Sequence, residues 1–167
     1  MLKLVSPSVH YLVSYRKAVE DGFQNMQLGF GDSKPDSVDY LPQITNPAPF
    51  QFNGYSVYEH QLLWLVNADD FVGSVACRFK SDPEIEKVCG HIGIAIAAPY
   101  RRKGYATQGI ELAKGSFLQH GMKEILYTVS PTNTASVALV QKAQGEKIDH
   151  LPNPLGFGPT DIYRIKL

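Results

Sequence analysis

The chain has 167 residues, 44% of them hydrophobic and 19% charged, and its 16 Lys and Arg balance its 16 Asp and Glu. Length and composition suit one globular domain spanning residues 1–167 with a full core, and exclude a disordered chain. A net charge of zero argues against general nucleic-acid binding, which needs a surplus of cations to displace counterions from phosphates.

No stretch reaches the roughly 18 apolar residues of a membrane span, and the N-terminus carries no apolar run ending in a small-residue cleavage site. A soluble cytoplasmic protein with no membrane or nucleic-acid partner is the expectation. The two cysteines, Cys77 and Cys89, sit in apolar, strand-like segments without metal-ligand spacing. They read as buried, inert thiols, and no metal is expected.

In chain order, "LKLV" is a short first strand. Ser6 then reads as a helix N-cap with Pro7 at the first helical position, and Val9, Leu12, Val13 and Val19 share one helical face as far as Gly22. From residue 31 to 60 the periodicity dissolves among prolines, Asn, Gly and aromatics (Tyr40, Phe50, Phe52, Tyr55, Tyr58). So long an irregular arm either walls an acceptor pocket or covers the core. "QLLWLVN" and "FVGSVACRFK" are strands joined by a hairpin turn at Asn67–Asp70. "SDPEIEK" is polar and turn-like. "CGHIGIAIAA", Cys89 to Ala98, fits a strand buried on both faces and stopped by Pro99.

After the cationic turn Arg101-Arg102-Lys103, Ala106, Ile110, Ala113 and Phe117 form one stripe of a helix that ends near Gly121. "EILYTVS" is the next strand. Thr132 or Asn133 caps a second helix running to about Gln144 and stopped by Gly145. "EKIDHL" and "DIYRIKL" close the chain as strands around the turn-rich "PNPLGFGP". The order is β-α-(arm)-β-β-β-α-β-α-β-β, a mixed α/β domain.

Three cations before Gly104 at a helix start make an anion cradle. The helix N-terminus offers unpaired N–H groups and about half a positive charge, and Gly104 admits a ligand close to the backbone. The nucleotide-hydrolase loop needs Gly-Lys-Ser/Thr, and this chain has Lys103-Gly104-Tyr105 instead. Gly104-x-Ala106-x-x-Gly109 matches the loose dinucleotide pattern, but five residues intervene after the strand, and the acid about 20 positions on, Glu124, opens its strand rather than ending one. That match is accidental.

Arg101-x-x-Gly104-x-Ala106, between a buried strand and a helix, resembles the acyl-CoA-binding motif of the GNAT (Gcn5-related) N-acetyltransferases. The resemblance runs from Gly90 to Gly145 and includes "NTASVALVQKAQG", which is similar to the family's Asn-x-x-Ser helix. The opening Pro7-Ser8 with Ser14-Tyr15, and the strand around Gly90-His91-Ile92-Gly93, further resemble a small branch of predicted acetyltransferases. The fold the resemblance implies is a single GNAT-like domain: a mixed, mostly antiparallel sheet flanked by helices, with a central β-α-β-α acyl-CoA-binding unit.

The resemblance implies acetyl-CoA as co-substrate, with no metal. It places the pantetheine arm along the backbone of Ile94, Ala95 and Ile96. The pyrophosphate falls on the N–H groups of Arg102, Lys103, Gly104, Tyr105 and Ala106, with Arg101 and Arg102 adding charge. Asn133 and Ser136 fall at the pantetheine. Each position also has an ordinary reading: core strand, solvated turn, helix cap.

The implied reaction is direct transfer of an acetyl group from the thioester to a small-molecule or peptide amine in a ternary complex. His91 stands where relatives often carry a glutamate base, and an imidazole titrates near neutral pH. Tyr127, Glu59, His60 and Arg78 are further candidates to face the cleft, although a hydrogen-bonded core histidine and a solvated arginine are the plainer accounts of His91 and Arg78. Many relatives carry a tyrosine acid seven residues after the asparagine, where this chain has Val140. The alternative is a non-catalytic acyl-CoA-binding sensor or interaction module of the same fold. Homodimers are common among such domains, and the sequence does not name the acceptor.

Overall fold

The computed structural model describes residues 1–24 and 48–167. Strand β1 (Leu2–Val5) leads through a 3-10 turn (Val9–Tyr11) into helix α1 (Leu12–Glu20). Two hairpins follow: β2 (Phe50–Phe52) with β3 (Tyr55–Asn67), then β3 with β4 (Asp70–Ser81). Helix α2 (Pro83–Cys89) precedes β5 (Ile92–Ile96), and helix α3 (Tyr105–Gln119) precedes β6 (Glu124–Val129). Helix α4 (Thr134–Lys142) and strands β7 (Glu146–Leu151) and β8 (Thr160–Lys166) complete the chain. The strands form two antiparallel sheets, one ordered β1-β3-β4-β5 with β2 also on β3, the other ordered β6-β8-β7.

β3 from Leu62 to Val66 and β4 from Phe71 to Cys77 are mostly apolar because both faces of their sheet are covered there. Alternation sends Leu63, Val75, Cys77 and Ile92 into a core shared with Ile110, Ala113 and Phe117 of α3 and with Ile125, Tyr127 and Ile165 of the second sheet. Their neighbours Leu62, Trp64, Val66 and Ala76 pack instead against Leu12, Tyr15 and Ala18 of α1. Tyr15 stacks on Trp64 with ring centres 4.5 Å apart. Gly109 lets α3 lie close on β5, since a Cβ there would stand 2.7 Å from the Ile94 side chain.

The element order agrees with the expected α/β fold, with four corrections. The first helix does not start at Ser6: Ser8 precedes the 3-10 turn without a side-chain cap, and the α-helix opens at Leu12. "SDPEIEK" is not a turn but the start of α2, with Asp82 at the N-cap, Pro83 at the first position and Glu84 and Glu86 in the first turn. The arm is regular from Phe50 onward, turning at Asn53-Gly54 with positive φ at both residues. Residues 25–47, including Tyr40, lie outside the described residues. The strand expected from Cys89 to Ala98 is shorter, because Cys89 ends α2 and Ala98 opens a 3-10 turn. It is buried at Ile92 and Gly93 and only half-buried at Ile94, Ala95 and Ile96.

Arg78 is also corrected. It is 3% exposed rather than solvated. Its Nε donates to the Gly90 carbonyl (2.8 Å) and an Nη to the Cys89 carbonyl (2.6 Å). A cation thereby satisfies carbonyls left over at the C-terminus of α2, where the helix dipole favours it. Burial pushes the Cys77 thiol up to about 12 against the pull of Arg78, so it stays an unreactive thiol at neutral pH. His60 is 8% exposed. Burial first, and the Arg78 charge second, lower its pKa to about 4.

Arg78→Met keeps the bulk and removes both donors. The two carbonyls lose their partners, and we expect a loss of about 1–3 kcal/mol in urea unfolding; an unchanged midpoint would contradict this role. His60 makes a pH prediction. Its folded pKa of about 4 lies below the unfolded 6.5, so the unfolded chain takes up the proton first. That contribution to stability is complete above pH 6.5 and falls as pH drops toward 4, by up to about 3 kcal/mol. In His60→Leu the loss of stability over that window should shrink.

Candidate active site

β5 and β6 are neighbouring strands of different sheets, and no ladder joins them. They meet where the His91 N–H donates to the Leu126 carbonyl (2.8 Å) and the Leu126 N–H donates to His91 Nδ1 (3.0 Å). Beyond that point the strands part. A cleft of about 480 Å³ opens near the far end of β5, between the N-termini of α3 and α4. Its walls are Ile96, Tyr100, Arg101, Arg102 and Gly104 to Thr107 on one side, and Thr134 to Ser136, Ala138, Leu139 and Lys142 on the other.

The cationic turn builds the mouth of this cleft. Gly104 caps α3 at φ 80°, a left-handed conformation that glycine takes without strain. Arg102 is also left-handed, at φ 63°. The first α3 bond runs from the Gln108 N–H to the Gly104 carbonyl (3.2 Å), so the amides of the first turn have no partner within the helix. A Cβ on Gly104 would reach nothing nearer than the Gln108 side chain at 3.9 Å, which leaves the space before the helix open. Arg101 folds back, its Nε donating to the Ile96 carbonyl (3.0 Å) and bracing the turn against β5. Lys103 leans over the Tyr100 ring, 5.6 Å from its centre.

Six of the expected cofactor residues on the β5 side, Ile96, Arg101, Arg102, Gly104, Tyr105 and Ala106, line this cleft. Ser136 lines the opposite wall. Ala95, Lys103 and Asn133 lie next to lining residues in the chain but outside the wall, and Ile94 lies outside it two residues from Ile96. Asn133, rather than Thr132, caps α4: its Oδ1 accepts the Ser136 N–H at 3.1 Å. Lys142, Thr107 and Leu139 escaped the sequence reading. Lys142 lies eight residues beyond the α4 start, at a helical spacing from Ala135 and Leu139 that marks one face, and this was the available signal.

The catalytic candidates fall elsewhere. His91 is 9% exposed, with Nδ1 occupied by Leu126 and Nε2 3.5 Å from the Glu86 carboxylate. Burial lowers its pKa, opposed by Glu86 and assisted by Arg78. Tyr127 is buried in the core, and burial raises its pKa against a hydrogen bond to Ser136 on the cleft wall. Glu59 is exposed and paired with His120 at 3.4 Å. Val140 is fully buried in the core and does not line the cleft. Among the described residues no group of three or more His, Cys, Asp or Glu could hold a metal ion, and no helix is long and apolar enough to cross a membrane.

Residues 31–145 match the family model described as "Acetyltransferase (GNAT) family". No curated protein sequence gives a significant match. Among solved structures the chain is similar to mutant forms of the spermidine/spermine N-acetyltransferase SpeG from Vibrio cholerae, at 19% identity and TM-score 0.65, covering 99% of this chain and 95% of that one. It is also similar to the microcin self-immunity acetyltransferase MccE in complex with acetyl-CoA and AMP, at 16% identity and TM-score 0.65, with 99% and 92% covered. A third similar structure is the ribosomal-protein α-N-acetyltransferase RimL in complex with coenzyme A, at 14% identity and TM-score 0.65, with 99% and 94% covered. At these identities the structures speak for the fold alone, whereas the family model spans well over half of the chain. With its sheet parted beside a cationic helix start, this chain belongs to the GNAT acetyltransferase family.

Proposed function

We propose that this protein transfers the acetyl group of acetyl-CoA to a primary amine. The observation that carries the reading is the open cleft between the α3 and α4 N-termini, rimmed by cations and by helix amides without a helical partner. A pyrophosphate fits that donor set, which the N–H groups of Arg102 to Ala106 supply with Arg101 and Arg102. Lys142 adds a cation on the opposite wall. The half-buried edge of β5 at Ile94, Ala95 and Ile96 offers main chain to an amide-bearing arm. Asn133 and Ser136 hold the α4 end of the cleft. Acetyl-CoA supplies the activated acyl group as a thioester.

The amine nitrogen attacks the thioester carbonyl carbon, the C–N bond forms and the C–S bond breaks. The ammonium proton must be taken up, and the departing thiolate is a weak enough base to leave without a dedicated acid. In the resting geometry His91 offers the ammonium no lone pair, because Nδ1 already accepts the Leu126 N–H. A neutral ring then carries its proton on Nε2, toward Glu86. His91 therefore suits the base role poorly, and we propose it as a structural histidine instead. The chain's own work in the reaction is to hold the two reactants together at the right distance.

Calorimetric titration of acetyl-CoA tests the cofactor site. Ala106 is half-buried on the cleft wall in the first turn of α3, where glutamate is compatible with the helix. Ala106→Glu should weaken acetyl-CoA binding about tenfold or more by adding negative charge to the cradle. Absence of binding to the native protein would defeat the assignment. Release of free CoA thiol in a panel of amines separates an enzyme from a sensor. Turnover with at least one amine is expected, and tight binding without turnover across peptide, amino-acid and polyamine amines would favour the sensor.

A further inference from the structure

The charged residues on the cleft wall are Arg101, Arg102 and Lys142, and no acidic residue stands among them. In a chain whose net charge is zero, that is a local surplus of cations suited to an anion. Arg101 and Arg102 belong to the turn that starts α3, beside the helix amides. Lys142 does not. It stands on the opposite wall in the last turn of α4, about 12 Å along the helix axis from Thr134. Between the polar Ser136 and Lys142, this wall presents only Ala138 and Leu139. Lys142 is exposed. The ion pairs of the described residues engage Lys17, Lys87, Lys114 and Lys147, but not Lys142.

The phosphates of acetyl-CoA are of two kinds. Those of the pyrophosphate are esterified on both sides and carry a single charge each. The ribose 3′-phosphate is a monoester, with a charge of about −1.5 to −2 at neutral pH. The α3 cradle, with its amides and two arginines, suits the first kind. An ammonium set apart from the cradle beyond an apolar step suits the second, because lysine meets a phosphate as a point charge without a fixed fork.

We infer that Lys142 is a specificity residue for the ribose 3′-phosphate, so that the cleft distinguishes acetyl-CoA from its 3′-dephosphorylated form. The inference deepens the cofactor reading and rests on it. A lysine in the last turn of α4 also suits the helix dipole. That role is indifferent to the ligand, and a ratio of two ligand affinities separates the two.

Calorimetric titration of the full chain with acetyl-CoA and with 3′-dephospho-acetyl-CoA gives that ratio. At low ionic strength the native protein should bind acetyl-CoA about fivefold more tightly, and added salt should shrink the difference. Lys142→Met keeps the stem and the helix propensity and removes the charge. It should weaken acetyl-CoA more than the dephospho form and bring the ratio below about two, whereas Lys142→Arg should retain it. Ala106→Glu, in the cradle, should weaken both ligands and leave most of the ratio. A native ratio of one overturns the inference, as does a ratio unchanged in Lys142→Met. If Lys142→Met does not fold, Lys142→Gln takes its place with the same expected loss. Equal binding of both ligands defeats this inference alone; binding of neither defeats the cofactor reading and this inference with it.

Discussion

The structure depends on two strands that lie side by side without pairing along their length. β5 belongs to one sheet and β6 to the other, and a parallel ladder between them would erase the cleft. Unpaired strand edges are costly when buried, because N–H and C=O groups lose water without gaining a partner. The fold reconciles this by making the junction at His91 and Leu126 and then letting the edge become half-exposed from Ile94 onward. The same exposure that relieves the backbone makes β5 available to a ligand.

The cleft's electrostatics arise from how the chain turns rather than from overall charge, which is zero. A left-handed Gly104 starts α3 abruptly, so its first amides face the space that Arg101 and Arg102 border. Helix dipole and side-chain charge act in the same direction within one turn. Arg101 also holds the Ile96 carbonyl, so the residue that contributes charge fixes the turn's position against β5.

On the far side of the junction, α2 is held by polar contacts at both ends, buried at its C-terminus and partly exposed at its start. Arg78 binds the carbonyls at its C-terminus, and Asp82 at its start accepts the Ser56 N–H (2.7 Å) and the Tyr58 hydroxyl (2.8 Å). These hydrogen bonds hold the Asp82 carboxyl below its usual range. A seven-residue helix is too short to be stable alone. It persists because β3, β4 and β6 each grip it, through Val57 packed on Ile85, through Arg78, and through Thr128.

The sequence by itself determined the order of the elements other than β2 and α2, the cationic turn at a helix start, and the family, because each is written in local spacing. Alternating or continuous apolar runs name β3, β4 and β6, and Gly104 after three cations names the start of α3. It also held two signals that were read the wrong way round. Ser6-Pro7 and Asp82-Pro83 carry the same helix-start chemistry, yet only the second starts a helix, because Ile85 and Cys89 find a core and Val9 is left exposed. Asn53-Gly54 is a hairpin turn in plain view within a stretch read as irregular. Tertiary structure alone decided the fates of His91 and Arg78. A histidine's lone pair and an arginine's solvation depend on which carbonyl or amide arrives from a strand 35 or 12 residues away in sequence. Long-range packing makes those meetings, and local periodicity does not encode them.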